Sequence, residues 1–454
     1  MYKRLLLAII ITSFIGPFAG SGLSVAIPAI GREFVTTAEM LSYVVFAFLL
    51  GSAMFVLPIG RVADIYGRRK IYTIGLWLFA GTFLLAGIAP NIESLVAMRF
   101  LQGAVMSLIF GPGMALLVST VKKEEQGKAI GYSAAATYSG LSMGPVICGF
   151  LCELLGWRSI FFLTGAVVCL SIYLIRGVQE EWYGGRNEAL DLKGSLCFLL
   201  AAPMILLGLS EFSESGYGVW LLLAGILGVM AFGYIEYKSS SPCLDVKAFK
   251  SNKAFIMSNL VAMLHYSGTF AISFLLSVYL QVICGLSASY AGGIILLQPV
   301  MMAVLSPMAG SLSDRVHPGK VAAFGMALTC SGLFGLSLLD MDSSPLRVGV
   351  NLLWIGIGFA FFSSPNNNAI MRSIEAKYYG TASSLLATMR LFGQSISMAM
   401  VTMLLAANGV SSMLGEDNIQ LMSTIQMCFR LFAFFSIMGI GMCLVSNKNK
   451  IGRE

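Results

Sequence analysis

Residues 60–70 read GRVADIYGRRK and lie between two apolar stretches, 38–59 and 71–89. The glycines of this segment permit a tight turn and a close approach of the backbone, and Asp64 is a fixed negative charge at a helix end beside a basic cluster. An ordinary loop between two membrane helices would explain the basic residues, but not the spacing Gly-x-x-x-Asp-x-x-Gly-Arg-Arg. The segment therefore indicates a specific function where two helices meet.

Apolar stretches of this kind recur along the whole chain of 454 residues, of which 57% are hydrophobic and 11% are charged. Soluble domains carry about 25% charged residues, so a bilayer must take up much of this apolar surface. Since lipid offers the backbone no hydrogen bonds, only helices and closed barrels span it, and runs of about twenty residues favour helices. We predict fourteen spans, at 5–30, 38–59, 71–89, 94–119, 130–153, 158–177, 191–210, 217–236, 254–281, 289–310, 319–339, 347–371, 379–407 and 421–445.

The distribution of the basic residues predicts the orientation of these spans. With both termini in the cytoplasm, 23 of the 29 Lys and Arg residues fall at inner ends and loops, three fall outside and three fall within spans. Such a bias follows the positive-inside rule. We therefore expect a multi-pass protein of the cell (inner) membrane with cytoplasmic termini. Because the charges form scattered loop clusters, we do not expect nucleic-acid binding.

The sequence contains an internal repeat. Residues 60–64 (GRVAD) recur as 310–314 (GSLSD), and residues 131–134 (GYSA) recur as 380–383 (GTAS), at nearly the same offset. Duplicated six-helix halves around a central site are a transporter architecture. We predict an N-terminal six-helix bundle at 1–178, an inserted helix pair with cytoplasmic linkers at 179–252 and a C-terminal six-helix bundle at 253–454.

The motifs together resemble those of the major facilitator superfamily. Residues 60–70 resemble its signature loop, residues 99–103 (RFLQG) its second motif and residues 140–149 (GLSMGPVICG) the motif associated with antiporters. Fourteen spans and residues 242–249 (PCLDVKAF) resemble the fourteen-span drug:proton antiporters, which are multidrug efflux permeases. The resemblance implies an all-α integral membrane protein with the major facilitator fold, two six-helix bundles plus two inserted helices.

The resemblance also implies roles for individual residues. Asp64, with Arg68 nearby, would close a cytoplasmic gate against the start of the span 379–407 in the outward-facing state. The gating residues are Gly60, Asp64, Gly67, Arg68, Arg69 and, in the repeat, Asp314. A second set would kink the fifth helix and pack the two halves together, since small residues let helices approach and proline bends them; it comprises Gly140, Gly144, Pro145 and Gly149. Simple helix packing is the alternative for this set.

Polar residues inside the predicted spans are candidates for the coupling or substrate cavity. They are Arg99, Gln102, His265 and Arg390. Arg99 can alternatively extend to the membrane surface, and a single histidine among apolar residues is more often packed and neutral. Members of the resembled family commonly have an acidic residue in the first helix where this chain has Ala19, and no Asp or Glu lies at the middle of any predicted span. Protons would then be carried by His265, by an outer acid such as Glu153 or by the substrate.

Enzymatic chemistry is not predicted. The pattern Gly-x-Ser-x-Gly at residues 140–144 lies within an apolar helix, whereas a hydrolase needs it at a strand–helix turn with a histidine partner. The chain has no phosphate-binding Gly-x-x-x-x-Gly-Lys loop and no CxxC pair, so neither ATP hydrolysis nor a metal site or other cofactor is expected.

The predicted function is therefore secondary active transport by alternating access, most simply proton-coupled efflux of small lipophilic compounds or drugs. An importer of a metabolite or nutrient with the same fold is the first alternative. A membrane-embedded enzyme or signalling protein is a second one, which a catalytic constellation would support. The partners expected are a small lipophilic substrate, protons and the lipid bilayer.

Overall fold

A computed structural model describes residues 2–34, 38–186, 188–210, 216–239, 242–244, 246–250, 252–286, 288–408 and 418–448, and these residues contain helices but no strand. The helices are α1 Tyr2–Phe34, α2 Ala38–Tyr66, α3 Arg68–Gly87, α4 Ile92–Thr120, α5 Gln126–Leu155, α6 Arg158–Arg176, α7 Leu192–Ser210, α8 Gly216–Lys238, α9 Val246–Lys250, α10 Lys253–Thr269, α11 Ile272–Val278, α12 Ala288–Ile295, α13 Leu297–Arg315, α14 Pro318–Ser337, α15 Pro345–Arg372, α16 Tyr379–Ala407 and α17 Asn418–Lys448.

Thirteen helical segments of the described chain are long and apolar enough to cross a membrane, by length and composition. The remaining predicted span, 379–407, coincides with the unbroken helix α16.

Two predicted spans are interrupted. The span 254–281 is divided between α10 and α11, where the Thr269 hydroxyl donates to the carbonyl of His265 (2.7 Å), a bond that bends helices.

The span 289–310 is divided between α12 and α13. Pro299 has no N–H and so cannot donate to the carbonyl of Ile295, the last residue of α12. In the sequence, this break is indicated by Pro299 near the start of α13. A hydropathy profile does not show it.

The helices form two compact units that interleave along the chain. The first comprises Met1–Pro203, Gly228–Ala248 and Ile374–Thr388, and the second comprises Met204–Leu227, Phe249–Ser373 and Met389–Glu454. The start of α16, up to Thr388, thus belongs to the first unit and the rest of the helix, from Met389, to the second. The three-part division predicted from the sequence stays a prediction.

The same helix pairings occur inside both units. In the first unit α2 packs on α4, and α3 packs on α4 and α6; in the second, α13 packs on α15, and α14 packs on α15 and α17. These helices correspond to one another under the offset of the sequence repeat. Close approaches are made through glycine: a Cβ on Gly358 of α15 would lie 2.6 Å from the backbone nitrogen of Thr329 on α14.

Candidate functional site

Asp64 lies at the centre of a buried polar contact in the first unit. Its side chain is fully buried in the last turn of α2. The backbone N–H of Thr381, in the first turn of α16, donates to Asp64 Oδ2 (3.0 Å), and the hydroxyl of Thr381 lies 3.1 Å from the same oxygen. A carboxylate at a helix N-terminus accepts from backbone N–H groups that have no partner within the helix. Asp64 therefore ties the signature loop to the start of α16.

Arg68 supplies the counter-charge to Asp64. Its Nε donates to Asp64 Oδ1 (2.7 Å), and both side chains are almost completely buried. The remaining donors reach Ser119 Oγ and the carbonyl of Ala376, each at 3.0 Å. Because a buried ion pair is tolerated only when its other hydrogen-bonding groups are satisfied, these contacts fix the guanidinium in one position between α3, α4 and the segment before α16.

The glycines of the signature loop are required by its geometry. Gly67 has φ 108°, a conformation that residues with a Cβ rarely adopt, and it allows α3 to begin directly after α2. A Cβ on Gly60 would collide with the side chain of Ser384 on α16. Both glycines thus serve the contact around Asp64.

The linker before α7 lies against the same loop. The carboxylate of Glu181 accepts from the backbone N–H groups of Arg69 (2.7 Å) and Lys70 (3.0 Å), in the first turn of α3. The backbone N–H groups of Gly184 and Gly185 donate to the carbonyl of Asp64 (2.9 and 3.0 Å). The linker therefore contacts the signature loop through both a side chain and its backbone.

Two further contacts join this region to the segments before α7 and after α8. Arg61 forms an ion pair with Glu188 of the linker. Cys243, in the segment that follows α8, is buried near the carbonyl of Leu57 on α2 (3.8 Å), and burial raises the pKa of its thiol. Cys243 of the sequence motif at 242–249 therefore lies beside α2.

Glu181 was not identified from the sequence, nor was any contact of this linker. The residue follows a helix and lies in a polar segment, as do several other acidic residues of the chain. Its partners are backbone N–H groups more than a hundred positions earlier, and a side chain that binds backbone leaves no complementary residue to recognise. The sequence could have suggested Glu181 only as an acceptor for the unpaired N–H groups at the start of α3, a helix that is distant from it along the chain.

The repeated loop in the second unit is arranged differently. Asp314 Oδ1 accepts from Arg372 (2.7 Å) and from Asn368 (3.3 Å). The Asp314 side chain is 9% exposed and that of Arg372 31% exposed, whereas Asp64 and Arg68 are buried. Asp314 thus occupies the equivalent position in a shallower and more hydrated ion pair.

Arg99 and Gln102 form a buried clamp inside the first unit. Arg99 donates to the carbonyl of Val44 (3.0 Å) and to Gln102 Oε1 (2.8 Å), and its guanidinium lies over the ring of Phe48. Gln102 in turn donates to the carbonyl of Thr82 (3.2 Å). Arg99 is therefore enclosed between α2 and α4 and does not extend to the membrane surface.

His265 lies in an aromatic enclosure in the second unit. Its ring stacks on Phe362 (3.9 Å between centroids) and contacts Phe359 at 4.6 Å. The residue is fully buried, and neither ring nitrogen has a hydrogen-bond partner among the described residues. A buried polar atom without a partner is costly, so this histidine is either a tolerated packing residue or a functional one.

Arg390 and His265 share a neighbour, Tyr266. The guanidinium of Arg390 lies over the Tyr266 ring (4.9 Å), and the imidazole of His265 contacts the same ring edge-on (5.8 Å). The two predicted coupling residues are thus in one neighbourhood. Glu153, the outer acid considered as a proton carrier, is exposed.

Two of the predicted packing residues of the fifth span, Gly140 and Gly144, face α1. A Cβ on Gly140 would collide with the carbonyl of Phe14, and one on Gly144 would lie 2.6 Å from the carbonyl of Phe18. The helix α5 continues unbroken through Pro145 to Leu155, and Gly149 is partly exposed. In the first unit these glycines bring α5 against α1; their role in sealing the two halves stays a prediction.

One cavity of about 230 Å³ lies in the second unit between α10, α14, α15 and α17. Its wall is apolar at Met257, Val261 and Ala322, and Asn366 and Arg372 add polar groups. None of the residues predicted to form the coupling cavity lines it. Among the described residues, no cluster of His, Cys, Asp and Glu has the arrangement of a metal site.

Residues 9–398 match the family model of the Major Facilitator Superfamily. The chain is 29% identical to the riboflavin transporter RibZ of Clostridioides difficile over 386 residues, 85% of this chain and 84% of that protein. It is 29% identical to the multidrug resistance protein Stp of Mycobacterium tuberculosis over 390 residues, 85% of this chain and 72% of that protein.

The fold is also that of a solved transporter structure. The human organic anion transporter MFSD10 superposes with a TM-score of 0.69 at 14% identity, covering 97% of this chain and 99% of that one. The match of the family model spans most of the sequence, and the helical architecture agrees with it. The chain is a membrane transporter and belongs to the Major Facilitator Superfamily.

Proposed function

We propose that this chain exports small lipophilic compounds across the cell membrane in exchange for protons, by alternating access. The observation that carries the proposal is the buried contact of Asp64 with Arg68 and with the N-terminus of α16. A gate needs a contact that is stable when formed and can be replaced by water when broken. A charged pair at a helix end meets both conditions, because hydration can compensate each charge after separation.

Support for efflux comes from the relatives. Stp is named a multidrug resistance protein, and a lipophilic substrate suits a chain whose predicted spans contain few charges. Support for proton coupling comes from His265, which is buried, titratable and without a hydrogen-bond partner among the described residues. Proton transfer to this imidazole would require its aromatic enclosure to open during the transport cycle.

A second candidate is transport of a metabolite, which the similarity to RibZ favours. That relative is named a riboflavin transporter. A planar heteroaromatic metabolite and a lipophilic drug make similar demands on a binding cavity, since both need aromatic and apolar contacts with a few polar groups.

Transport in inverted membrane vesicles tests both candidates. A panel of lipophilic cationic and neutral dyes, with riboflavin included, is offered with a proton gradient and again after a protonophore has collapsed it. We expect gradient-dependent accumulation of at least one lipophilic dye, reduced about tenfold or more in vesicles that carry Asp64→Asn. Accumulation of riboflavin alone would favour the second candidate. Uptake by intact cells, with none in inverted vesicles, would contradict export.

A further inference from the structure

Two acidic side chains meet where α7 begins and α8 ends, within the first unit. Glu236 lies in the last turn of α8 and is 1% exposed, and Asp191 directly precedes α7. One oxygen of each carboxyl group accepts a hydrogen bond from a backbone N–H. Glu236 Oε2 accepts from the N–H of Leu244 (2.8 Å), and Asp191 Oδ1 accepts from the N–H of Gly194 (2.8 Å). Both side chains are therefore held in place by the backbone.

The other oxygen of each group has no such partner. Glu236 Oε1 and Asp191 Oδ2 are buried, and neither has a hydrogen-bond partner among the described residues. Both face the Cα of Gly194: a Cβ built there would lie 3.1 Å from Asp191 Oδ2 and would collide with Glu236 Oε1. The two oxygens thus share one small space, which exists because residue 194 has no side chain.

The charges that the described residues place around this space do not neutralise two carboxylates. Among these residues, the cation that acts on Glu236 is Arg61 of α2, and it already forms an ion pair with Glu188 of the linker. The other titratable groups that act on Glu236 in this part of the chain are thiols, Cys197 of α7 and Cys243 of the segment after α8. Two ionised carboxylates in a space sheltered from water repel each other strongly, and such pairs bind one proton instead.

We propose that Asp191 and Glu236 hold one proton between them and form a proton-binding site apart from the predicted coupling residues. The protonated carboxyl group donates its O–H to the facing oxygen of the other, which satisfies both oxygens that lack a partner. The proton comes from water and returns to it, and no other reactant is needed. The site does not depend on the substrate of the transporter or on the direction of transport.

The proton affects the signature loop through Arg61. With the proton bound, the acidic pair carries one negative charge and Arg61 pairs with Glu188. Without it, the pair carries two negative charges and attracts Arg61 more strongly, so that the linker contact weakens. A rise of pH at this end of the membrane is therefore transmitted to the loop that contains Asp64.

Infrared spectroscopy of the purified full-length protein tests the site. At about pH 7 exposed carboxyl groups are ionised, so a buried protonated one gives a distinct C=O stretching band. We expect this band to decrease by one group in Glu236→Gln and to remain in Glu124→Gln, which removes an exposed carboxyl group from another part of the chain. A spectrum that is unchanged by Glu236→Gln would overturn the proposal.

Stability as a function of pH provides an independent measurement. Unfolding releases the shared proton at neutral pH, so the thermal midpoint of the wild type falls as pH rises, in proportion to the protons released. A glutamine at position 236 imitates the protonated acid, so we expect Glu236→Gln to be as stable as the wild type at about pH 7. Its unfolding should release one proton fewer, and its thermal midpoint should therefore fall less steeply as pH rises. If Glu236→Gln were instead as unstable as Glu236→Ala at neutral pH, Glu236 would be ionised and the proposal wrong.

Discussion

Asp64 combines complete burial with a full charge, and this combination decides what its replacement does. In Asp64→Asn, Arg68 loses its counter-charge, which costs about 3–5 kcal/mol in a buried pair. The cost applies to the state in which α16 contacts the loop, because both groups can be hydrated once they separate. We predict near-normal abundance in the membrane and transport reduced about tenfold or more, measured in vesicles.

Asp314→Asn is the matched control for this variant. It makes the same chemical change at the repeated position, where the ion pair with Arg372 is partly exposed and is worth about 0–1 kcal/mol. Its effect on transport should be small. Equal effects of the two variants, or normal transport by Asp64→Asn, would remove the gating role of Asp64.

Glu181 positions the loop from the linker. Its carboxylate binds two N–H groups in the first turn of α3, and a charged acceptor at a helix N-terminus stabilises it by roughly 0.5–2 kcal/mol. Glu181→Gln keeps the shape and weakens both bonds, so we predict a lower thermal midpoint and slower transport. Glu124→Gln, an exposed change of the same charge, should have no effect; equal effects would argue against positioning by Glu181.

Substitution of His265 tests proton coupling separately from the predicted gate at Asp64. We predict that His265→Ala abolishes gradient-driven accumulation but spares the exchange of labelled for unlabelled substrate, because exchange needs no net proton transfer. Arg390→Ala should weaken both activities, since Arg390 is partly buried over the ring of Tyr266 and its loss would disturb the neighbourhood that it shares with His265. The exposed His317 provides the control in His317→Ala. Gradient-driven transport that survives in His265→Ala would point to Glu153 or to charge on the substrate.

At the scale of helices, the glycines of α5 give a clear prediction. Gly144 faces the backbone of α1, and the carbonyl of Phe18 cannot move without moving the helix. Gly144→Ala should therefore destabilise the protein by about 1–3 kcal/mol. Gly20→Ala, on α1 with no atom within 4 Å of the new Cβ, makes the same substitution without a clash.

Thermal unfolding in detergent compares these two variants. We expect a lower midpoint for Gly144→Ala, and an unchanged or slightly higher one for Gly20→Ala, because alanine favours a helix over glycine by about 1 kcal/mol. A midpoint unchanged by Gly144→Ala would mean that α1 and α5 are less closely packed than the geometry requires.

The helices themselves could be predicted from the sequence because lipid leaves few alternatives. A run of about twenty apolar residues between charged segments specifies a span by its length alone, and α3 and α6 follow this rule. The interruptions at Thr269 and Pro299 are local hydrogen-bond effects inside apolar runs. A hydropathy profile does not contain them.

The site was predictable to the extent that its chemistry is local. The signature loop is recognisable because two glycines, an acid and an arginine stand at fixed spacing, and the resemblance supplied α16 as the partner of Asp64. The contacts of Glu181 and the pair formed by Asp191 and Glu236 join segments distant in sequence, partly through backbone groups. Only the packed structure reveals them.

For the whole molecule, the repeat provides the same helix pairings in both units while the chemistry of the two repeated loops differs. Asp64 is buried under α16, and Asp314 is part of a hydrated ion pair. The second copy has thus kept its fold without the charge burial of the first. We therefore expect the predicted gating role to belong to Asp64 rather than to Asp314.

Orientation in the membrane is a property of the whole chain, and the basic residues predict it. Moving a lysine or arginine across the bilayer during insertion is costly, and 23 of 29 lie at the ends we assign to the cytoplasm. Fusions of a reporter active only in the cytoplasm should be active at Lys123, Lys247 and Lys448 and inactive at Asp342; a reporter active only outside should give the reverse pattern.

Because the fusions at Lys123 and Lys247 follow even numbers of spans, they test each part of the chain separately. A periplasmic signal at Lys448 with cytoplasmic signals at Lys123 and Lys247 would mean that one of the last six spans does not cross the membrane, and α16, which contains Arg390, would be the first to re-examine.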